Sequence, residues 1–180
     1  MDENNLIKRK SPRLKEFDYC EARPYFITIC TKDKIPYFEN QKIAKKVIEC
    51  LLSERKQMGY LIFAYCLMPD HLHILLMPDS AQQSDRTRRD RASPCPKKVY
   101  PGPISISQFI GAFKSKSTHL FWKCKGTGKL WQGRFYDHIV RSNENLVKTA
   151  DYILQNPVRK GIVERANAYP YSGLVDEIPM

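Results

Sequence analysis

Two apolar runs of strand length flank a Pro-Asp pair near the middle of the chain, and this arrangement constrains the fold more than any other feature. Residues 61–68 are apolar at successive positions, which is typical of a strand buried on both faces. Residues 71–77 form a second run of strand length. Pro69 and Asp70, which lie between the runs, favour a tight turn. The two runs are therefore predicted to form a buried β-hairpin.

Further elements on both sides of the hairpin predict a domain of mixed helices and strands. Residues 24–31 and 135–140 have strand character, whereas residues 41–56 and a stripe from Ile106 to Leu120 show the helical spacing of apolar residues. The order strand, helix, strand, strand, helix, strand matches the ferredoxin-like plan (βαββαβ). This is an α+β fold with an antiparallel sheet and helices on one face. A final helix follows the last strand.

Capping residues and a proline set the expected ends of two helices. Ser105 or Ser107 can cap the second helix, and Ser142 or Asn143 can cap the last one. The last helix should end near Asn156, because the proline that follows pushes this residue away from the α region.

The chain is predicted to be a single domain over residues 1–180, with a loop inserted into it. Residues 78–103 contain five prolines and six Lys or Arg residues, which is typical of a mobile basic loop. The apolar runs are too short to cross a membrane, and the polar N-terminus does not resemble a secretion signal. A cytoplasmic location is expected, with the six scattered cysteines in the reduced form.

The charge balance indicates what kind of partner the domain binds. Thirty Lys and Arg residues against nineteen Asp and Glu residues give a formal net charge of +11. Such an excess favours a polyanionic partner, most often nucleic acid. A basic soluble protein with no nucleic-acid role is the alternative that composition leaves open.

Two histidines in the second hairpin run form a candidate metal site. Because side chains alternate along a strand, His71 and His73 share one face with Leu75 and Met77, and the apolar residues of the other face point into the core: Leu72, Ile74 and Leu76. Their Cα atoms should be roughly 7 Å apart, so both imidazoles can converge on one cation. Two partly buried histidines bonded to backbone or carboxylate groups are the alternative.

A tyrosine and an asparagine in the last helix form a second candidate feature. Tyr152 and Asn156 are four residues apart and therefore lie on a common helix face. The apolar stripe of this helix, which includes Ala150 and Ile153, lies on another side. Tyr152 is thus not placed as an ordinary core aromatic, and a surface or groove-lining tyrosine is the alternative.

These features resemble those of a known family. The segment MPDHLHILLMP (residues 68–78) resembles the histidine–hydrophobe–histidine motif of the HUH single-strand nucleases. The segment KLWQGRFYDHIVRSNENLVKTADYILQNPVRKGIV (residues 129–163) resembles the C-terminal signature of the REP-associated tyrosine transposases, relatives of the single-tyrosine transposases of small insertion sequences. The resemblance extends over residues 19–163, although the loop of residues 78–103 is longer and more basic than the family would suggest.

The resemblance implies an activity and the residues that perform it. It implies a ferredoxin-like endonuclease that cuts single-stranded DNA next to a short hairpin, with a divalent metal, Mg²⁺ or Mn²⁺. By motif position, His71 and His73 are metal ligands, Asn156 is a third ligand and Tyr152 is the nucleophile. Whether the site forms within a monomer or is shared in a homodimer stays open.

Several basic and aromatic residues are candidates for contact with DNA. Phosphate contacts are predicted for Lys114, Lys116, Arg134, Arg141, Arg159 and Lys160. Base stacking is possible for Trp131, Phe135 and Tyr136, although core packing is expected for at least two of them. A structural role is expected for His138, and none for His119.

The sequence therefore predicts a metal-dependent nuclease and strand transferase for DNA transposition, acting through a 5′-phosphotyrosine intermediate. A catalytically silent hairpin-binding protein is the main alternative. An RNA-binding ferredoxin-like domain is a third reading, which requires exposed aromatic residues on the central strands.

Overall fold

The computed structural model describes residues 23–82, 104–141 and 145–179. Most of the predicted basic loop at 78–103 lies outside these ranges, as do the predicted caps Ser142 and Asn143. Within the described residues, the last long helix is capped by Asn145, whose side chain accepts a hydrogen bond from the Lys148 N–H.

A five-stranded antiparallel sheet forms the centre of the fold, with the strand order β4-β1-β3-β2-β5. Its strands are β1 (Tyr25–Cys30), β2 (Tyr60–Met68), β3 (His71–Pro78), β4 (Tyr136–Ile139) and β5 (Ser172–Leu174). The first four strands have the predicted ferredoxin-like arrangement, and β2 and β3 form the predicted hairpin. The short edge strand β5 is an addition that the sequence pattern did not predict.

The α-helices whose full extent lies within the described residues are α1 (Gln41–Met58), α2 (Ile106–Lys123), α3 (Leu146–Leu154) and α4 (Asn156–Arg159). Their ends follow capping chemistry. Asn40 caps α1, and Gly59 ends it in the left-handed conformation, with φ 67°, that glycine adopts without steric strain. Ser105, one of the two caps predicted for α2, forms a capping box with Gln108.

The first hydrophobic core lies between one face of the sheet and helices α1 and α2. Alternate residues of β1 and β3, such as Ile27 and Ile74, are fully buried here. They pack with residues such as Leu51 of α1 and Phe113 of α2. Because side chains alternate, the other residues of β1 and β3, including both candidate histidines, point to the opposite face of the sheet.

A second core lies on that opposite face, where α3 and the C-terminal segment pack. Ala150 and Ile153 of α3 cover Phe63 of β2 and Leu75 of β3. The Tyr169 hydroxyl donates to the Leu67 carbonyl at 2.7 Å, which fastens the C-terminal segment to β2. The added helix therefore lies across the sheet from α1 and α2, on the face that carries the histidines.

Two further features of the described residues concern the cysteines and the helices. Cys50 and Cys66 are buried with free thiols, and burial raises the pKa of the Cys66 thiol to about 12. Cys20 and Cys95 lie outside the described residues. Within the described ranges, no helix combines the length and the apolar character needed to cross a membrane.

Trp131 anchors the loop that leads into β4. Its side chain is 5% exposed and packs against Phe38 and Phe113, with ring centres 5.2 and 5.7 Å away. Its indole N–H donates to the Ser117 hydroxyl at 2.9 Å. A backbone bridge between Trp131 and Thr31 joins the loop to the end of β1.

Replacing Trp131 with Ala should lower the free energy of unfolding by about 3–5 kcal/mol, because the change opens a large cavity in the first core. Urea denaturation would measure the loss. The chain's other tryptophan, Trp122, is 47% exposed and provides the matched control. Trp122→Ala should lower the free energy of unfolding by about 1 kcal/mol or less, since it removes one exposed hydrogen bond. Equal effects of the two changes would contradict the anchoring role of Trp131.

Candidate active site

The two histidines at the start of β3 converge on one point. The Nε2 atoms of His71 and His73 are 3.1 Å apart, and the ring centres are 4.6 Å apart. In the sheet, His71 lies opposite Cys30 and His73 lies opposite Thr28 on β1. Backbone pairing therefore sets the position of each imidazole before any ligand is bound.

Polar neighbours hold the other nitrogen of each ring. The Asp70 carboxylate is 2.5 Å from Nδ1 of His71, and the Thr28 hydroxyl is 2.9 Å from Nδ1 of His73. A carboxylate can only accept, so Nδ1 of His71 donates in this contact, and Nε2 is the ring nitrogen that faces His73 and is placed to coordinate a cation. Partners of this kind orient histidine ligands in metal sites.

The electrostatic environment keeps His73 neutral. Burial lowers the pKa of His73 to about 3, and the neighbouring His71 contributes to the lowering. A metal binds the neutral form of histidine, because the coordinating nitrogen must present a lone pair. The environment of His73 thus favours the protonation state that a metal ligand requires.

The donor set at the pair fits a divalent cation. Two neighbouring ligands at about 2.0–2.2 Å from one ion are roughly 3 Å apart, which matches the separation of the two Nε2 atoms. Among residues 23–82, 104–141 and 145–179, no cluster of three or more His, Cys, Asp and Glu side chains could hold an ion. A third protein ligand from this part of the chain would have to be of another type, such as an amide oxygen.

Tyr152 lies on the same face of the sheet as the histidines. Its ring packs edge-on against Phe26, with ring centres 6.2 Å apart. Phe26 in turn lies 5.4 Å from the His73 ring. Arg159 of α4 covers the Tyr152 ring, with its guanidinium carbon 4.7 Å from the ring centre. The candidate nucleophile and one of the candidate metal ligands, His73, therefore contact the same aromatic residue of one chain.

Asn156 has a structural role that the sequence analysis did not foresee. In a continuous helix, the N–H of residue 157 would bond to the Ile153 carbonyl, but Pro157 has no N–H. The buried Asn156 amide donates to the carbonyls of Ile153, at 3.2 Å, and Tyr152, at 2.9 Å. Both amide hydrogens are used in this way, so the amide oxygen is the atom left for a cation. Its role as a ligand stays a prediction.

The structure separates the six basic candidates into two groups. The Lys114 ammonium donates to the carbonyls of Gln132 and Arg134, and the Lys116 ammonium pairs with the buried Glu54. Both lysines therefore have contacts within the protein that the sequence analysis did not anticipate. Lys116 is nevertheless exposed, as are the other four candidates: Arg134, Arg141, Arg159 and Lys160. Of these four, Arg159 contacts the Tyr152 ring.

The aromatic candidates also differ in their surroundings. Trp131 is buried and Phe135 packs against the first core, as expected for at least two of the three, whereas Tyr136 is 57% exposed. Among the described strands, Tyr136 is the exposed aromatic residue, and it lies on an edge strand. The RNA-binding alternative required such residues on the central strands.

The sequence analysis missed three residues that support the site: Thr28, Phe26 and Asp70. Asp70 could have been found, because it precedes His71 directly in the motif. Thr28 and Phe26 carry no local signal, since their relevance depends on the pairing of β1 with β3.

Comparisons with known proteins find sequences similar to this chain. The family model described as "Transposase IS200 like" matches residues 21–86. A putative REP-associated tyrosine transposase from Haemophilus influenzae is 26% identical over 156 residues, which are 86% of this chain and 81% of that protein. The REP-associated tyrosine transposase of Escherichia coli is 24% identical over 123 residues, which are 68% of this chain and 59% of that protein.

The fold of the chain also matches a solved structure. A solved structure of a REP-associated tyrosine transposase bound to a REP hairpin matches with a TM-score of 0.63 and 19% identity, covering 87% of this chain and 79% of that chain. The two proteins therefore share a fold. In its sequence, the chain is similar to the IS200-like and REP-associated tyrosine transposases.

Proposed function

We propose that this protein is a metal-dependent transposase that cuts and rejoins single-stranded DNA next to a hairpin. The observation that carries the proposal is the placement of Tyr152 and the convergent pair His71 and His73 on one sheet face, where Phe26 contacts both Tyr152 and His73. The named activities of the relatives and the DNA hairpin bound by the structural neighbour support it. The excess of basic residues supports a nucleic-acid substrate.

His71 and His73 would hold the cation through their Nε2 atoms, with the Asn156 amide oxygen as the third protein ligand. When bound, a divalent ion such as Mg²⁺ or Mn²⁺ polarises the scissile phosphate and stabilises the charge that develops on it. Asp70 and Thr28 keep the two rings oriented by holding both Nδ1 atoms.

Tyr152 would act as the nucleophile. Its phenolic oxygen forms a bond to phosphorus, and the bond from phosphorus to the 3′ oxygen breaks. The phenol loses its proton to water, and the leaving oxygen takes up a proton to become a free 3′-OH. The Arg159 guanidinium beside the ring places positive charge where negative charge develops.

The covalent intermediate explains how one site could both cut and join DNA. A 5′-phosphotyrosine retains the free energy of the phosphodiester, so a second 3′-OH can displace Tyr152 without an external energy source. Cleavage followed by attack of a different 3′-OH transfers a strand, which is the elementary step of transposition.

The covalent step is tested with labelled hairpin oligonucleotides in the presence of Mg²⁺ or Mn²⁺. The protein should form a covalent adduct with DNA, and Tyr152→Phe should abolish it because the ring is kept and only the nucleophilic oxygen is lost. Tyr171→Phe, a change at another half-buried tyrosine, is the matched control and should form the adduct normally. Adduct formation by the Tyr152→Phe protein would refute the assignment of the nucleophile. Tight binding of the hairpin oligonucleotides, with no covalent adduct on any of them, would favour a catalytically silent hairpin-binding protein.

The metal site is tested by direct binding of Mn²⁺, followed by electron paramagnetic resonance. Replacing both His71 and His73 with Ala should lower the affinity at least about 100-fold, and Asp70→Ala should lower it about 10- to 100-fold through loss of ring orientation. His119→Ala is the control, since His119 is exposed on α2 and bonded to the Ser115 carbonyl. Unchanged Mn²⁺ affinity in the double variant would exclude the pair as the metal site.

The arrangement within one chain predicts that the site assembles in cis. A mixture of the Tyr152→Phe protein and the His71→Ala/His73→Ala protein should not form the covalent adduct, because neither chain has a complete site. Adduct yield measured against an equal amount of wild-type protein checks this. Recovery of the adduct in the mixture would show that two chains share the site.

A further inference from the structure

The face of the sheet that carries the candidate site is covered unevenly. Phe63 and Cys66 of β2 are fully buried beneath α3 and the C-terminal segment. His73 on β3 is 8% exposed, Thr28 on β1 is half-buried, and Tyr136 on β4 is 57% exposed. Access to solvent therefore increases across the sheet from β2 to β4, and the histidines lie at the boundary.

The accessible part of this face forms an open strip. Its residues lie on β1 and β4 and point to the same side as the histidines: Phe26, Thr28, Cys30, Tyr136 and His138. Tyr136 is opposite Thr28, which is opposite His73 on its other side. The strip thus leads from the edge of the sheet directly to the candidate metal ligands.

The length of the strip suits a short piece of single-stranded DNA. Neighbouring strands are about 4.8 Å apart, so the backbones at Tyr136 and His73 are separated by about 10 Å. That is roughly the length of three stacked nucleotides at about 3.4 Å each. A base against Tyr136 would therefore lie within a few nucleotides of a phosphate at the histidine pair.

Charge at both ends of β4 complements a DNA backbone. Arg134 precedes the strand and Arg141 follows it, and both side chains are exposed. Tyr136 itself is more exposed than Trp122, the other large exposed aromatic residue in the described ranges. An accessible ring flanked by two guanidinium groups is the combination used by proteins that stack bases and contact phosphates.

We propose that Tyr136 is a base-stacking residue and that the open strip binds the single-stranded nucleotides beside the scissile phosphate. Arg134 and Arg141 contact the phosphates on either side of the stacked base. The ring selects the position of the DNA and not the identity of the base, because every base has a π face. The location of the scissile phosphate rests on the proposed function.

Photocrosslinking of 5-iodouracil, which reacts with a stacked aromatic ring, tests the contact directly. Hairpin oligonucleotides with thymine-rich single-stranded flanks would carry one 5-iodouracil at successive positions, and the Tyr152→Phe protein would be used to prevent cleavage. Mass spectrometry of the crosslinked peptide should identify Tyr136 for only one or two adjacent base positions. Crosslinks that avoid Tyr136 at every position would overturn the proposal.

Binding measurements by fluorescence anisotropy provide the second readout. Tyr136→Phe keeps the ring and should retain the affinity, whereas Tyr136→Leu should weaken binding of the flanked hairpin roughly 5- to 100-fold. Trp122→Leu is the matched control, because α2 covers the opposite face of the sheet, and it should leave the affinity unchanged. Equal affinities of the Tyr136→Leu and wild-type proteins would overturn the proposal.

The outcomes separate this inference from the proposed function. If proteins that retain Tyr152 form the covalent adduct but Tyr136 neither crosslinks nor affects affinity, the stacking role is wrong and the nuclease stands. If Tyr136 crosslinks but no substrate yields an adduct, the stacking role is supported and the cleavage proposal is wrong.

Discussion

The antiparallel pairing of β1 with β3 is the interaction on which the rest of the structure depends. Its register places Thr28 opposite His73 and Ile27 opposite Ile74, so the apolar partners enter the first core and the polar partners face the other side. A slip of one residue would turn both imidazoles into the core, at a large desolvation penalty. The hydrophobic pattern of the strands thus secures the orientation of the candidate metal ligands.

A single proline shapes the helical half of the site. Pro157 removes a backbone donor at the end of α3, and the Asn156 side-chain amide donates instead to the Ile153 carbonyl. The chain then continues as α4, from which Arg159 reaches the Tyr152 ring. One interruption in the helix therefore determines how three proposed site residues lie relative to one another: Asn156 as third ligand, Tyr152 as nucleophile and Arg159 as charge stabiliser.

The uneven cover of the second sheet face meets two demands on the proposed DNA-cleaving site. Ligands must be held rigidly, and here backbone pairing, Asp70 and Thr28 hold the two imidazoles. The substrate must also reach them, and the exposure of the face beyond β1 permits this. The added helix α3 covers β2 and β3 and brings Tyr152 beside Phe26 without closing the strip toward β4.

The sequence by itself determined the first four strands and the three long helices, the face shared by the histidines and the motif that carries Tyr152, because each depends on residues near one another in the chain. Only the tertiary structure decided that α3 packs on the histidine face, that Lys114 and Lys116 bind within the protein, and that β5 extends the sheet. These depend on contacts between residues far apart in the chain, whose partners local periodicity cannot name. The convergence of His71 and His73 depends on the sequence and on the tertiary structure. Alternation along β3 places both side chains on one face, and Thr28 of the neighbouring strand β1 orients the ring of His73.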